Sequence, residues 1–457
     1  MRGSGPDGVD PRPLALLRIG LGALVLIDLA DRLRDFHAFY TSAALVPAPV
    51  KGGVAGLLQR WSLLAISNDW RVTLAVFVAA GVAALLLMLG LFSRAAAAAT
   101  LVALVSLHHR NSYVEGGGDA VLRALAFWLI FVDGGARLSL DVRWGRRSQP
   151  GSIPALPVRL LQLQIAMIYV FAFLGKTGPS WRDGSAVLQA LTTADWARGA
   201  GTWLSGHPTL CRGLTWTTLA FEAAFAPLVL WPTSRTWPRA CALGAGLLLH
   251  AGIFLTMRVG NFSEAMLLTY LALVPGAWLD RLIPPNPTPS PTPQLARAGA
   301  IALCLTFAAI ALGQVADTLA FPLRPVATVL EAAGMRQDWR VFAPDAPRLD
   351  VTFEAPGQLR DGQSVDLMAS TLAPLAPQRG FRYSRWHRLR NLLAAGAPDL
   401  TEALGRYTCR RTPALAHFDL IARIRSPAAA PITRLRLSQP CAEPSAPPLR
   451  PATPLQR

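Results

Sequence analysis

VTLAVFVAAGVAALLLMLGLFS, residues 72–93, runs for 22 positions without a charged side chain and lies between Arg71 and Arg94. Crossing the hydrocarbon core of a bilayer takes about 20 residues of helix, so this stretch is long enough to span it. Working outward, further apolar runs occupy Leu14–Leu29, Ala95–Leu107, Val121–Val132, Leu160–Gly175, Gly213–Trp231, Ala240–Met257, Phe262–Leu279 and Ala298–Val315. Together they predict about nine spans. Several fall short of the usual length. They extend through polar flanks or lie deep in the bundle, since irregular backbone survives at membrane depth only inside protein or beside water. Leu14–Leu29 has the length of a signal sequence, but the small pair Ala43-Ala44 comes too late, after a charged stretch, to be its cleavage site. It is read as the first span.

Composition agrees. Of 457 residues, 52% are hydrophobic and only 16% charged, against roughly 25% charged in soluble domains. The net charge is +17 and the pI about 11.0. The basic residues are scattered between apolar runs with no dense basic helix, which argues against nucleic acid and for anionic lipid head groups. Nearly all are Arg. Lys51 and Lys176 are the two Lys, and with abundant Ala, Pro and Gly this is the composition expected from a GC-rich bacterial genome. The five Cys show no metal-ligand spacing.

Arg143, Arg146 and Arg147 crowd the loop 137–159, and the positive-inside rule places that loop in the cytoplasm. By parity the N-terminus is cytoplasmic too. Residues 31–71, 108–120, 176–212 and everything after 316 are then extracytoplasmic, in an inner cell membrane. Trp61, Trp70, Trp181, Trp196 and Trp203 fall in those outer loops, where an interfacial aromatic belt is expected.

The fold class expected is an all-α polytopic bundle with a small mixed α/β soluble domain. Residues 1–283 form the transmembrane domain of about eight spans, 284–296 a Pro-rich linker, 297–318 the final span, 319–441 the soluble domain and 442–457 a disordered tail. In the soluble part, Leu349–Phe353 and Ser364–Met368 flank the hairpin signal Asp361-Gly362. Residues 382–393 and 399–407 read as helices, and Leu420–Ile424 and Ile432–Leu437 as strands with one buried face. Cys409 and Cys441 can pair in an oxidising compartment or stand as two thiols.

Charged groups inside spans are costly and each raises a functional question. Arg18, Asp28, Arg123, Glu222, His250 and Glu264 sit in or at the edge of spans. Mutual pairing is the ordinary explanation, for instance Arg123 with Glu222 or Glu264. His250, mid-span in LLLHAGIF, reads first as a hydrogen-bonded core residue and second as a proton carrier. Lys176 ends the run YVFAFLGK just before TGPSW. Arg stays protonated, whereas a desolvated Lys readily becomes a neutral amine fit for general-base work. A snorkelling interfacial Lys explains the position equally well. Tyr40 and the run HHRNSY at 108–113 are polar clusters on the same outer face. The adjacent His108 and His109 point apart on a helix and make a poor metal pair, and no phosphate-loop, zinc or serine-hydrolase motif is present.

The segments LLRIGLGALVLIDLADRLRDFHAFYTSAALVP, AFWLIFVDGGARLSLD, LQLQIAMIYVFAFLGKTGPSWRDGSAV and LLLHAGIFLTMRVGNFSEAMLLTYLALVP resemble, in that order, the HTTM family. This is the horizontally transferred transmembrane domain that bacteria share with the vitamin K-dependent gamma-carboxylase of animals. The resemblance covers about residues 12–280, and QDWRVFAPDAPR at 337–348 echoes the segment after the last span of bacterial members. It implies a reduced quinone, such as menaquinol, as cofactor, deprotonated by a Lys in a segment similar to GKTGPSW. That assigns the base to Lys176, with Trp181 marking the register and His250 and Asn261 in another core segment. Two departures stand out. An ungapped match puts Gly118-Asp119 where the animal enzyme has a His-Ser pair, and residues 320–441 offer no counterpart of similar size to the region gripping the propeptide.

Two readings follow. One is a quinone- or lipid-dependent carboxylase- or epoxidase-like membrane enzyme with Lys176 as base and His250 supporting it. The other is a non-enzymatic membrane protein that binds lipid or a peptide partner, in a peptide-maturation or accessory role. A transporter is a third, weaker for want of an inverted repeat with paired interrupted helices.

Overall fold

A computed structural model describes residues 8–46, 60–193, 196–231, 235–285, 295–321, 323–347, 350–377, 383–426 and 429–442. Most of the Pro-rich linker and of the C-terminal tail lies outside them. The chain divides into two compact units, Met1–Arg348 with Arg379–Arg388, and Leu349–Gln378 with Leu389–Arg457.

The first unit is helical. Its main helices are α1 (Arg12–Arg34), α2 (Trp70–Leu89), α3 (Ser93–Arg110), α4 (Gly117–Phe131), α5 (Ala155–Gly175), α6 (Pro208–Leu230), α7 (Trp237–Thr256), α8 (Phe262–Thr269), α9 (Arg297–Thr318) and α10 (Arg324–Ala332). Six of them, α1, α2, α5, α6, α7 and α9, are long and apolar enough to cross a membrane. The other three expected spans are helical but different. Ala95–Leu107 lies within the 18-residue α3, and Val121–Val132 largely within the 15-residue α4. Phe262–Leu279 breaks into α8, a 3-10 turn at Tyr270–Leu273 and another at Gly276–Leu279. Pro275 lies at that last break and disfavours helical geometry in the residue before it.

Helix α2 shows how local chemistry sets the boundaries. The Asp69 side chain accepts from the Arg71 amide at 2.9 Å and caps the start. Gly90 ends it in the left-handed region at φ +74. A Cβ there would lie 2.4 Å from the Ser139 Cβ, so only glycine satisfies both the turn and the space. The helix thus stops at Leu89 rather than Ser93. Arg18 of α1 then satisfies the exposed carbonyls, donating to Leu87 O at 2.5 Å, Met88 O at 2.7 Å, Leu138 O at 2.6 Å and Gly134 O at 3.0 Å. Its charge in a span has a backbone-capping role, with no ion pair needed.

α1 packs on α2, α2 on α3, α3 on α4 and α5 on α6. The segment from 261 to 280 runs beside α1. Asn261 donates to Asp28 near the C-terminal end of α1 at 3.2 Å, and Asp280 pairs with Arg12 at its start at 2.8 Å. Two-residue strands β1 (Gly8–Val9) and β2 (Ile153–Pro154) pair antiparallel.

The second unit is a small α/β domain. Its central strand β6 (Leu415–Ser426) pairs with β7 (Ala429–Pro440) along one edge. On the other lie β3 (Asp350–Glu354) and β4 (Pro356–Leu359), with β5 (Ser364–Asp366) beyond β4. The Asp361-Gly362 turn therefore joins β4 to β5, while β3 pairs with β6. The core is built from Val351, Phe353, Leu415, Phe418 and Leu420, with Leu400 and Leu404 of α12 (Pro398–Arg411). In sequence between β5 and α12 comes α11 (Trp386–Ala395), whose residues from Leu389 onward belong to this unit. Cys409 and Cys441 form a disulfide with Cα atoms 5.4 Å apart.

Candidate functional site

Helix α5 carries the first group. Tyr169 and Lys176 are seven residues apart, two helical turns, so they share one face. Lys176 is the C-cap of α5, and its ammonium reaches back to Ala172 O at 3.2 Å, where a cation complements the helix dipole. Its other partner is Glu222 of α6, with Nζ donating to Oε1 at 2.8 Å. The ammonium also lies 4.9 Å from the centre of the Trp181 ring, a cation–π contact. Lys176 is 9% exposed and Glu222 7%. Glu222 Oε2 has no hydrogen-bond partner. Trp181 is buried rather than part of an interfacial belt, and donates to Phe342 O at 2.9 Å.

Two turns inward, the Tyr169 hydroxyl lies 2.8 Å from His250 Nε2 and 2.6 Å from the Tyr270 hydroxyl. Phe221 and Phe225 of α6 pack on the Tyr169 ring, with centroids 5.3 and 4.0 Å away, and Phe262 stands 5.7 Å from His250. His250 is 2% exposed and its Nδ1 has no partner. The approach of Tyr270 depends on Gly246, where a Cβ would stand 2.1 Å from the Tyr270 hydroxyl oxygen. The polar atoms of this group thus lie on α5, α6, α7 and the turn after α8, among aromatic rings.

A second group closes the C-terminal end of α1. Arg32 is fully buried and donates to Asp28 at 2.6 Å, Tyr40 at 2.8 Å and Asp119 at 2.7 Å. Arg385 meets the same two carboxylates, at 2.5 Å to Asp28 and at 3.1 and 3.2 Å to Asp119, and donates to Val114 O at 2.8 Å. Burial alone lowers the pKa of Arg385, but Asp119 and Asp28 outweigh it and hold the guanidinium charged. Burial raises the Tyr40 hydroxyl above its ordinary value against the pull of Arg32 and Arg385.

His108 sits between two guanidinium groups, 2.8 Å from Arg32 and 2.5 Å from Arg123. A neutral imidazole accepts at one nitrogen only. One of these two guanidinium contacts therefore cannot be a hydrogen bond to a neutral ring, and Asp119 lies 3.6 Å from Nε2. Arg123 pairs with Glu115 at 2.8 Å, and Lys176 holds Glu222. The expected pairing of Arg123 with Glu222 or Glu264 is therefore corrected. Glu115, just before α4, is the carboxylate Arg123 reaches, whereas Glu222 is held by Lys176 of α5. Glu264 is half-buried with Oε2 unpartnered, and Arg198 is its electrostatic neighbour.

The structure thus gathers Asp28, Tyr40, His108, Arg123 and Asn261 around one cluster, and Lys176 with Glu222 in another. Sequence reasoning missed Arg32, Glu115, Asp119, Tyr169, Tyr270 and Arg385. Arg32 was discoverable, because it follows Asp28 by four residues and shares its helix face. Arg385 lies 357 positions from Asp28 and no local pattern announces it. Among the described residues, no group of three or more His, Cys, Asp or Glu has metal-holding geometry.

No curated protein and no solved structure matches the chain. The model of the HTTM domain matches residues 7–278, more than half of it. That region holds every helix from α1 to α8, both groups around Lys176 and His250, and most of the Arg32 cluster, so the chain belongs to the HTTM domain family.

Proposed function

We propose that this integral membrane protein is an enzyme that removes a proton from a lipid-soluble hydroxyl compound with the Lys176–Glu222 pair. The observation that carries the reading is a Lys and a Glu 2.8 Å apart, both more than nine-tenths buried, with the second carboxylate oxygen unpartnered. Moving one proton from Nζ to the carboxylate exchanges an ion pair for a neutral pair without changing the net charge of the site. Low dielectric favours the neutral pair far more than water does. The free amine then accepts a proton from a hydroxyl beside it, as a general base.

The substrate class suggested by the family resemblance is a reduced quinone such as menaquinol. The residues present fit it. His250 Nδ1 and Glu222 Oε2 are buried polar atoms in want of partners, and Phe221, Phe225 and Phe262 supply flat apolar surface. A reduced quinone, when bound, supplies acidic hydroxyls and two electrons for dioxygen. The chain's own part would be to pack the ring against these aromatics, meet one oxygen at His250, and take the proton at Lys176.

The test is to supply reduced quinone and dioxygen to the purified protein and look for quinone epoxide, with water as the balancing product. Wild type should form it and Lys176→Ala should not. A folded wild-type protein that yields no epoxide refutes this reading. It leaves the second, a lipid- or peptide-binding protein, favoured by the complete set of contacts that Lys176 makes with Glu222, Ala172 O and Trp181.

For topology, we infer nine passes, a cytoplasmic N-terminus and an extracytoplasmic second unit in the inner membrane of a bacterium. Three facts support it. The segment 261–280 contacts α1 near both of its ends. α3 follows α2 after three residues and packs along it, as a returning helix must. The disulfide Cys409–Cys441 suits an oxidising compartment. Reporter fusions after Thr177 and after Cys441 should both report the outer side, and a cytoplasmic signal from either would overturn the arrangement.

A further inference from the structure

The hairpin tip between α2 and α3 carries an oddity. Phe92, the residue before α3, holds φ +48, in the left-handed region. A side chain with a Cβ pays about 1–2 kcal/mol for that conformation. Its amide is held by Asp141, yet Phe92 is 63% exposed, so its ring is not buried in the protein. Trp144, at the end of the short helix Leu140–Arg143, is also 54% exposed. Between them lies Arg146, its guanidinium carbon 5.0 Å from the Trp144 ring and 5.7 Å from the Phe92 ring. The Arg146 side chain is 52% exposed, and its nearest carboxylate oxygen, from Asp141, is 4.0 Å away. The other Asp141 oxygen, Oδ2, accepts from the Phe92 amide at 2.7 Å, so a single loose ion pair to Oδ1 leaves most of the Arg146 fork open. Arg94 and Arg143 are exposed on the same two segments.

Stacking between two rings uses the faces of a guanidinium and leaves its edge, with the N–H fork, free. That fork matches a phosphate in two-point contact. Phe92 lies at the end of a long apolar helix, where aromatic rings settle at the boundary between acyl chains and head groups. We propose that Arg146, bracketed by Trp144 and Phe92, binds the phosphate of an acidic phospholipid, with both rings inserted at that boundary. A free phosphate would leave the two exposed rings in water, so lipid is the occupant. The proposal rests on the membrane-embedded reading of α2 and is independent of any chemistry at Lys176.

The experiment uses the full chain in detergent, titrated with phosphatidylglycerol, with phosphatidylcholine of the same acyl chains, and with inorganic phosphate. Bound lipid is counted by native mass spectrometry. Wild type should prefer phosphatidylglycerol, and Arg146→Gln should weaken that binding about ten- to hundred-fold, the loss expected for a charged hydrogen-bond pair. Phe92→Gly separates a site from a merely structural feature. Glycine relieves the left-handed strain, so this variant should melt higher in detergent, yet bind phosphatidylglycerol more weakly than wild type. Equal binding of the two lipids by wild type overturns the proposal. So does an unchanged preference in Arg146→Gln, or competition by inorganic phosphate that matches the lipid.

Discussion

Replacing Arg385 by Ala removes one guanidinium from two buried carboxylates. Each unit charge pair at about 4 Å is worth about 4 kcal/mol at an effective dielectric near 20. Asp28 and Asp119 together therefore lose about 8 kcal/mol of gross attraction. Against this, the variant no longer desolvates the guanidinium, which returns several kcal/mol. The net cost falls in the range of about 3–5 kcal/mol typical of breaking a buried pair. Arg32 is then left to neutralise both carboxylates, with Asn261 and the Gly116 amide as their neutral donors. The assay is denaturant unfolding of detergent-purified protein in a double-mutant cycle with Asp119→Asn. The Arg385→Ala/Asp119→Asn double variant should recover about 1–3 kcal/mol relative to additivity, because the stranded charge is gone. Arg385→Lys should fall between, since it keeps the charge and loses the fork that spans Asp28, Asp119 and Val114 O. A loss below about 1 kcal/mol in Arg385→Ala, or strict additivity in the cycle, refutes the claim that this cluster is buried and mutually dependent.

The remaining expectations concern three other sites. Lys176→Met should destabilise the first unit by about 3–5 kcal/mol by stranding Glu222, and adding Glu222→Gln should recover part of it, read by the same unfolding assay. Burial pushes the His387 imidazole down to about 4 from its ordinary 6.5, with Arg258 and Arg388 adding to the effect. Below pH 6.5 the unfolded chain binds a proton that the folded protein refuses until about pH 4. Stability should therefore be full above about pH 6.5 and decline toward pH 4 by on the order of 3 kcal/mol, a slope that His387→Phe removes in unfolding curves across that range. Reducing Cys409–Cys441, which are 32 residues apart, releases a closed loop, and the second unit should lose about 4 kcal/mol by the loop-entropy relation. Unchanged stability under reductant would mean the unfolded chain is already compact.

The fold was legible where charge framed an apolar run and obscure where backbone geometry intervened. Arg71 and Arg94 bracketed α2, but the run overshot its end by four residues because Gly90 takes the left-handed conformation that apolarity does not encode. The segment 262–279 read as one span, and its breaks after Thr269 and around Pro275 depend on local turns within a hydrophobic context. In the second unit, the hairpin signal was correct about the turn and wrong about its strands. β3 found β6 more than 60 residues away, a pairing fixed by which apolar faces need covering and not by loop length.

The site divides along the same line. That Asp28, Arg123 and Glu222 require partners followed from their cost in a bilayer. Which partners they take depends on helix rotation and on which helices are neighbours, and neither is written in spacing. The two clusters differ in which atoms lack a partner: guanidinium Nε atoms of Arg123 and Arg385 in one, an acceptor of Glu222 and a ring nitrogen of His250 in the other. Around Asp28 and Asp119, each of the four carboxylate oxygens has a donor, from Arg32, Arg385, Asn261 or the Gly116 amide. Such closure argues for holding the fold together. Around Lys176, one oxygen of Glu222 and one nitrogen of His250 remain buried without a partner. An unmade buried hydrogen bond costs about 1–3 kcal/mol. These two atoms, beside Phe221, Phe225 and Phe262, are what the proposed proton transfer would use, the Glu222 carboxylate receiving the Lys176 proton and His250 Nδ1 meeting a ligand oxygen.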